Sequence, residues 1–341
     1  MTHRPIPSTP SPAPRALPDT PVSPMSAPAP VRRRLHRDAH SIAFAVAGAA
    51  HGHPVVVLHG GPGSGSHAGI LRLFDLACVR VVLVDQRGAG ASAPRGGTRH
   101  NNTAQLIADL EAVRKQLGVA RWGVVGGSWG AALALAYAGT HPERVTGVVL
   151  RGLFLTSPRE VRGLFTTSRS RAPREWRRLH AAAGGGRPDR LLSRCAQRLR
   201  HGAGAGGQRA VALAWRAYEN AVLASARTRR SPVRAIRSDQ TVGRLIDKYR
   251  IQAHYLQHDC WLGERRVLAL ARRAAQAGVP LFAAHGMRDH VCPVDNVVRL
   301  ARAAPDAEIE CVNAGHLASE PALARSVARA VHAMFATAPF A

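Results

Sequence analysis

The sequence predicts an α/β protein, a mostly parallel sheet flanked by helices and interrupted by an inserted helical domain. Three observations carry this. Short all-apolar runs such as Val55-Val56-Val57-Leu58 and Val81-Val82-Leu83-Val84 are of the kind buried on both faces of a parallel sheet. Such runs alternate with segments of helical periodicity, which is the order a parallel sheet requires. From about residue 156 to 275 the alternation stops. Arginine-rich helical segments, broken by Gly184-Gly185-Gly186 and by the glycines of 202–207, take its place.

The elements follow in order. Residues 1–30 hold ten of the 23 prolines and no apolar run, so 1–31 is expected to be an extended, disordered tail rather than a signal peptide or membrane span. Residues 33–46, with Ser41 to Val46 partly alternating, predict a hairpin at a sheet edge. Strand 55–58 runs directly into His59-Gly60-Gly61-Pro62-Gly63, and the strand at Val79 and 81–84 ends at Asp85-Gln86-Arg87-Gly88-Ala89-Gly90-Ala91-Ser92. Leu106, Leu110, Val113 and Leu117 define one face of a helix over 103–117, with Thr103 as its N-cap. A strand at 122–125, a glycine turn, an alanine-rich helix from Ala131 and a strand at Val145–Leu150 come next. After the insertion, strands are expected at 279–284 and 307–312, and a helix at 321–336 with Leu323, Val327, Val331 and Phe335 on one face. The division is therefore a core of 32–155 and 276–341 with a helical cap at 156–275. No internal repeat is present.

Composition excludes more than it assigns. Hydrophobic residues make up 46% of the 341, enough to bury a sizeable core. The formal charge of +26 raises the question of a polyanionic partner. However, Lys115 and Lys248 are the only lysines, and the arginines that carry the charge are scattered rather than gathered in one basic run. Weak adhesion to polyanions at low salt is expected, and no specific nucleic acid or membrane partner. Five cysteines (Cys78, Cys195, Cys260, Cys292 and Cys311) form no C-x-x-C pair, so neither a zinc site nor a disulfide framework is indicated. Free thiols fit a cytoplasmic protein.

The chemistry begins at Gly126-Gly127-Ser128-Trp129-Gly130, a G-x-S-x-G pattern between a buried strand and a helix. Such a turn holds its serine in a strained conformation at a helix N-terminus, where the Trp129 amide faces a developing oxyanion. Serine needs an imidazole base and a carboxylate that orients it. In the α/β-hydrolase arrangement these follow in the order Ser, Asp, His on loops after late strands. Asp289, in His285-Gly286-Met287-Arg288-Asp289, and His316, in Asn313-Ala314-Gly315-His316, stand at those places. Asp295, a competing carboxylate, reads as a helix N-cap, and His285 and His290 as loop or pocket-lining residues. The loop at Gly60-Gly61 lacks the G-K-[ST] of a phosphate cradle. As an oxyanion loop it fits, with the N–H of Gly60 or Gly61 opposite Trp129.

Together these blocks resemble the prolyl iminopeptidases, serine peptidases of the α/β-hydrolase class. The resemblance rests on His59–Gly63, Asp85–Ser92, Gly126–Ala131, Gly286–Asp289 with Cys292-Pro293, and Ala314–His316 with Glu320-Pro321. It implies Ser128 as nucleophile, His316 as base, Asp289 as orienter, and a helical cap. It also implies acidic cap residues that hold the substrate's free amino group. Trp215-Arg216-Ala217-Tyr218-Glu219 matches one such segment and points to Glu219. Gln252-Ala253-His254-Tyr255-Leu256 matches the other, but with Gln252 where glutamate is expected; Tyr255 belongs to the same segment. An ammonium beside one carboxylate and one amide is stabilised less than beside two carboxylates.

The expected function is thus a serine exopeptidase releasing N-terminal proline from short peptides with a free N-terminus, needing neither metal nor organic cofactor. Two rivals stand beside it: an esterase or amidase of the same fold acting on small molecules, and a non-enzymatic polyanion-binding protein on a decayed hydrolase scaffold.

Overall fold

The computed structural model describes residues 30–226 and 238–336. Residues 1–29 of the expected tail lie outside the described residues.

Eight strands form one sheet: β1 (Val31–Arg37), β2 (His40–Gly48), β3 (His53–Leu58), β4 (Val79–Val84), β5 (Trp122–Gly127), β6 (Val145–Arg151), β7 (Leu281–Gly286) and β8 (Glu308–Val312). Their order is β1-β2-β4-β3-β5-β6-β7-β8. The predicted hairpin is β1–β2, antiparallel at the edge, and β2 pairs antiparallel with β4. From β4 to β8 all pairings are parallel. β3 is buried along its whole length, as its unbroken apolar run requires. The strand order reverses around β3, which opens a crevice at the carboxyl ends of the central strands.

Helices α1 (Thr103–Gln116) and α2 (Trp129–Thr140) connect the first half of the sheet. Eleven of the residues of α2 are buried, so an all-round apolar helix is what this position demands. Between β6 and β7 lie α3 (Pro158–Phe165), α4 (Pro173–Ala182), α5 (Leu191–Leu199), α6 (Ala205–Ser225), α7 (Asp239–Gln257) and α8 (Gly263–Gln276). α4, α5 and α7 pack on α6 or on one another, whereas α8 packs along α2. That approach is close: a Cβ on Gly139 would collide with the Leu270 backbone. α9 (Asp295–Ala303) and α10 (Pro321–Phe335) complete the chain, and Leu323, Val327, Val331 and Phe335 of α10 are buried as the periodicity predicts. No helix among the described residues is long and apolar enough to cross a membrane.

Three local expectations are corrected. The N-cap of α1 is Asn102, whose side chain accepts from the Gln105 N–H at 3.1 Å. Thr103 turns the other way and donates to the Cys260 carbonyl. Asp295 is the first residue of α9 and makes no capping hydrogen bond with its side chain. β7 begins at Leu281 rather than 279, since Pro280 has no N–H for the ladder, although its carbonyl accepts from Val148.

Arg87 braces the loop after β4. Its side chain is fully buried and donates to both oxygens of Asp109, at 2.6 and 2.7 Å, and to the His100 carbonyl and Asp38. Replacing Arg87 by alanine would leave the Asp109 carboxylate buried, with Arg37 as its remaining cation at 3.0 Å. A loss of about 3 kcal/mol is expected, the lower end for a broken buried pair because Arg37 remains. The midpoint of urea unfolding measures it.

Candidate active site

Ser128 occupies the single position between β5 and α2, with φ 58° and ψ −123°. This is strained for a residue with a Cβ, and its neighbours hold it there. The Ser128 N–H donates to the Arg151 carbonyl at 2.8 Å, and the Ser128 carbonyl accepts from the Ala131 N–H at 2.9 Å. The flanking glycines are required by contact. A Cβ on Gly126 would strike the Gly130 carbonyl, and one on Gly130 would strike the Leu58 carbonyl. Gly130→Ala therefore has to push the end of β3 away from α2. We expect it to lower stability by about 3 kcal/mol or more, seen as a fall in Tm or as loss of folded protein.

Asp289 follows β7 and His316 follows β8, and the two meet: His316 Nδ1 lies 2.6 Å from Asp289 Oδ2. The other carboxylate oxygen, Oδ1, accepts from the N–H groups of Val291 at 2.8 Å and Cys292 at 2.9 Å. Burial works to raise the Asp289 pKa, but His316, His285 and these N–H groups outweigh it and hold the carboxyl below its ordinary value. A carboxylate facing Nδ1 keeps the ring proton there, which leaves Nε2 as the acceptor. The histidine loop is fixed from two sides. Glu320 accepts from the N–H groups of Gly315 at 2.7 Å and Leu317 at 3.2 Å, and the Arg151 guanidinium donates to the His316 carbonyl. His285 is a buried residue of β7 rather than of a loop, its Nε2 3.8 Å from Asp289 Oδ2 and 3.0 Å from the Cys292 carbonyl, and His290 pairs with Ser225 at 2.9 Å.

Ser128 and His316 line one cavity of about 270 Å³. Gly60, Gly61, Arg151 and Cys292 share its core side. Its other walls are apolar, from Phe154, Leu164, Phe165, Trp215, Val222 and Leu256, with Glu219, Lys248 and Gln252 among them. Burial pushes the Cys292 thiol, which lines the same cavity, well above its usual pKa. Asp289, Cys292 and His316 also bring three ligand-type atoms within 4.8 Å of one another. With the thiol kept protonated and Asp289 engaged to the ring, this set is composed for proton transfer. A larger cleft of about 770 Å³, lined by Arg32, Arg34, Arg95 and Arg244, shares Ser64 and Lys248 with the cavity but contains neither Ser128 nor His316.

The side expected to meet an oxyanion is built around Trp129. As the first residue of α2 it has an N–H without an intrahelical partner. Its indole donates to Gln86 Oε1 at 2.8 Å, Gln86 Nε2 donates to the His59 carbonyl at 2.8 Å, and His59 Nε2 accepts from the Gln86 N–H at 3.1 Å. The glycine loop and the serine turn are thereby tied together. Tyr255 is not among the residues lining the cavity. It is fully buried behind Trp129, ring centroids 5.1 Å apart, and donates to Asn101 Oδ1 at 2.7 Å.

Glu219 and Gln252 do meet, Gln252 Nε2 donating to Glu219 Oε1 at 3.2 Å. Two further residues lie here that the sequence reading did not single out. Lys248 Nζ donates to Glu219 Oε2 at 2.6 Å, and Arg151 sits between Gly127 and the His316 loop. A signal for Lys248 existed: in a chain with two lysines, one stands a helical turn before Gln252. Arg151 carries no such mark, because its role depends on a contact across 165 residues.

A family of α/β-hydrolase-fold proteins matches residues 53–322, so fold and site define a hydrolase of that class. Solved structures agree on the fold. The deep-sea metagenome hydrolase MGS-M2 superposes with a TM-score of 0.57 at 15% identity, covering 91% of this chain and 99% of its own. The Rhodococcus esterase RhEst1 does so with 0.55 at 21%, covering 90% and 98%. Among sequences, the proline iminopeptidase of Xylella fastidiosa (strain Temecula1) is 38% identical over 287 residues, 83% of this chain and 90% of that one. That of Neisseria gonorrhoeae is 35% identical over 299 residues, 86% and 92%. The chain belongs to the proline iminopeptidase family.

Proposed function

We propose that this protein is a serine aminopeptidase that releases N-terminal proline from short peptides. The observation that carries the reading is the pairing of His316 with Asp289 in the cavity that Ser128 lines, beside a polar cluster of Glu219 and Gln252 and walls apolar enough for a pyrrolidine ring. The Ser128 hydroxyl passes its proton to His316 Nε2, and its Oγ bonds to the first peptide carbonyl carbon. The carbonyl oxygen becomes an oxyanion met by the N–H groups of Trp129 and of Gly61 or Gly60, each such donor typically worth about 3–4 kcal/mol. His316 then protonates the departing amine as the C–N bond breaks. Water attacks the resulting ester, its proton taken by His316 and returned to Ser128, and free proline is released.

Helices α3–α7 stand between β6 and α8, and α6 and α7 line the cavity above Ser128. We take them as a cap that restricts entry to small peptides. The five free cysteines fit the reducing cytoplasm, and the scattered arginines give no reason to assign a specific nucleic-acid or membrane partner. The experiment is direct: purified full-length protein is offered prolyl-2-naphthylamide and Pro-X dipeptides, and release of proline is expected. No release by protein that a fluorophosphonate labels at Ser128 would reject the substrate and retain the nucleophile.

One observation favours a second reading, an esterase or amidase with no need of an amine: Glu219 is already paired with Lys248. Fast turnover of p-nitrophenyl acetate with none of any aminoacyl amide would select it.

A further inference from the structure

Glu219 is the single acidic residue among the described residues that line the cavity. Its oxygens are already engaged. Oε2 accepts from Lys248 Nζ at 2.6 Å and from the Tyr249 hydroxyl at 2.9 Å, and Oε1 accepts from Gln252 Nε2 at 3.2 Å. Burial works to raise the Glu219 pKa, but the Lys248 ammonium and these three hydrogen bonds outweigh it and hold the group ionised. The Gln252 amide cannot be reversed, because its oxygen would then face the carboxylate. Gln252 Oε1 is left buried without a hydrogen-bond partner, on a residue only 4% exposed.

The charges facing this corner sum to no net attraction for a cation. On α6, Arg216 lies three residues before Glu219 and acts on Tyr249. On α7, Lys248 cancels Glu219 and Gln252 is neutral. Across the cavity, Arg151 adds a cation, and the carboxylate of Asp289 is taken by His316.

We propose that Lys248 is a specificity-determining residue that neutralises the amine subsite, so that the enzyme takes its substrate's N-terminal amine in the uncharged form. This rests on the aminopeptidase reading above. A neutral secondary amine has one N–H and one lone pair. Its N–H suits the orphaned Gln252 Oε1, and its lone pair suits a second N–H of Lys248 Nζ. A protonated amine offers no lone pair and meets Lys248 as a like charge.

The test uses the full chain carrying Ser128→Ala, titrated calorimetrically with prolinamide from pH 6 to 9. The α-amino group of a peptide titrates near about 8. Affinity is expected to rise about tenfold per pH unit below the ligand's amine pKa and to level off above it, tracking the neutral fraction. Adding Lys248→Met frees the Glu219 carboxylate for an ammonium. Affinity at pH 6 should then increase at least about tenfold and the pH slope disappear. Lys248→Arg, which keeps the cation, should retain the rising profile. The proposal is overturned if the Ser128→Ala protein shows a flat or falling profile or no binding, or if Lys248→Met leaves the profile unchanged. Should Lys248→Met fail to fold by circular dichroism, the Ser128→Ala profile alone decides. Wild-type turnover of prolyl-2-naphthylamide is followed in parallel. Its absence beside a rising profile counts against the aminopeptidase reading and leaves the subsite assignment standing.

Discussion

Replacing Ser128 by alanine lowers kcat by about five to six orders of magnitude and leaves KM within a few-fold of its starting value, as expected when the nucleophile of a Ser-His-Asp set is removed. The asymmetry has a structural cause. Alanine retains the Cβ, so the turn between β5 and α2 keeps its shape, its hydrogen bond to Arg151 and its contact with Gly60. What disappears is one oxygen atom, on a residue that lines the cavity. The cavity walls, Phe165, Trp215, Gln252 and their neighbours, are untouched. Steady-state kinetics on prolyl-2-naphthylamide, with circular dichroism to confirm folding, gives the answer. Residual activity above about 1% would remove Ser128 from the nucleophile's role.

Asp289→Asn is expected to cost about four orders of magnitude in kcat, more than the loss of one charge suggests. The reason lies in the other half of the carboxylate. Oδ1 accepts two backbone N–H groups, from Val291 and Cys292, so the asparagine oxygen has to remain there. Its NH₂ then points at His316 Nδ1, where an acceptor stood before. Nδ1 must accept, the ring proton moves to Nε2, and the nitrogen that should take the serine proton is occupied. Asparagine is nearly isosteric, so stability should fall little. A variant that unfolds, or that retains more than a tenth of wild-type kcat, would contradict this account.

The parts of the molecule that were legible in the sequence are those whose physics is local. β3 ends in the unbroken apolar run Val55–Leu58 because both faces are covered, and Ser128 lies in a turn whose Gly126 is forced by the Gly130 carbonyl four residues on, although Gly130 itself is forced by Leu58 of a distant strand. The order Ser128, Asp289, His316 was readable because each follows a strand with its own signature. The proposed amine subsite was only half readable. Glu219 stands in a recognisable segment, but the meaning of a carboxylate depends on what neutralises it, and Lys248 comes from a different helix, 29 residues on. Tyr255 shows the same limit in reverse. Being one turn of α7 from Gln252 put it near the site, yet its direction from the helix takes it behind Trp129. The N-cap of α1 was missed by one residue because Asn102 and Thr103 are both capping types and the choice fell to a long-range bond to Cys260.

The residues proposed to make and break bonds and those proposed to hold the amine stand on separate stretches of chain. Ser128, Asp289 and His316 hang from the ends of sheet strands, while Glu219, Lys248 and Gln252 ride on α6 and α7. Sheet ends are fixed by ladders on both sides; a helix pair can exchange side chains without disturbing them. A lineage carrying this architecture can therefore alter what it consumes by point changes in two helices and never pass through a form that has lost its chemistry.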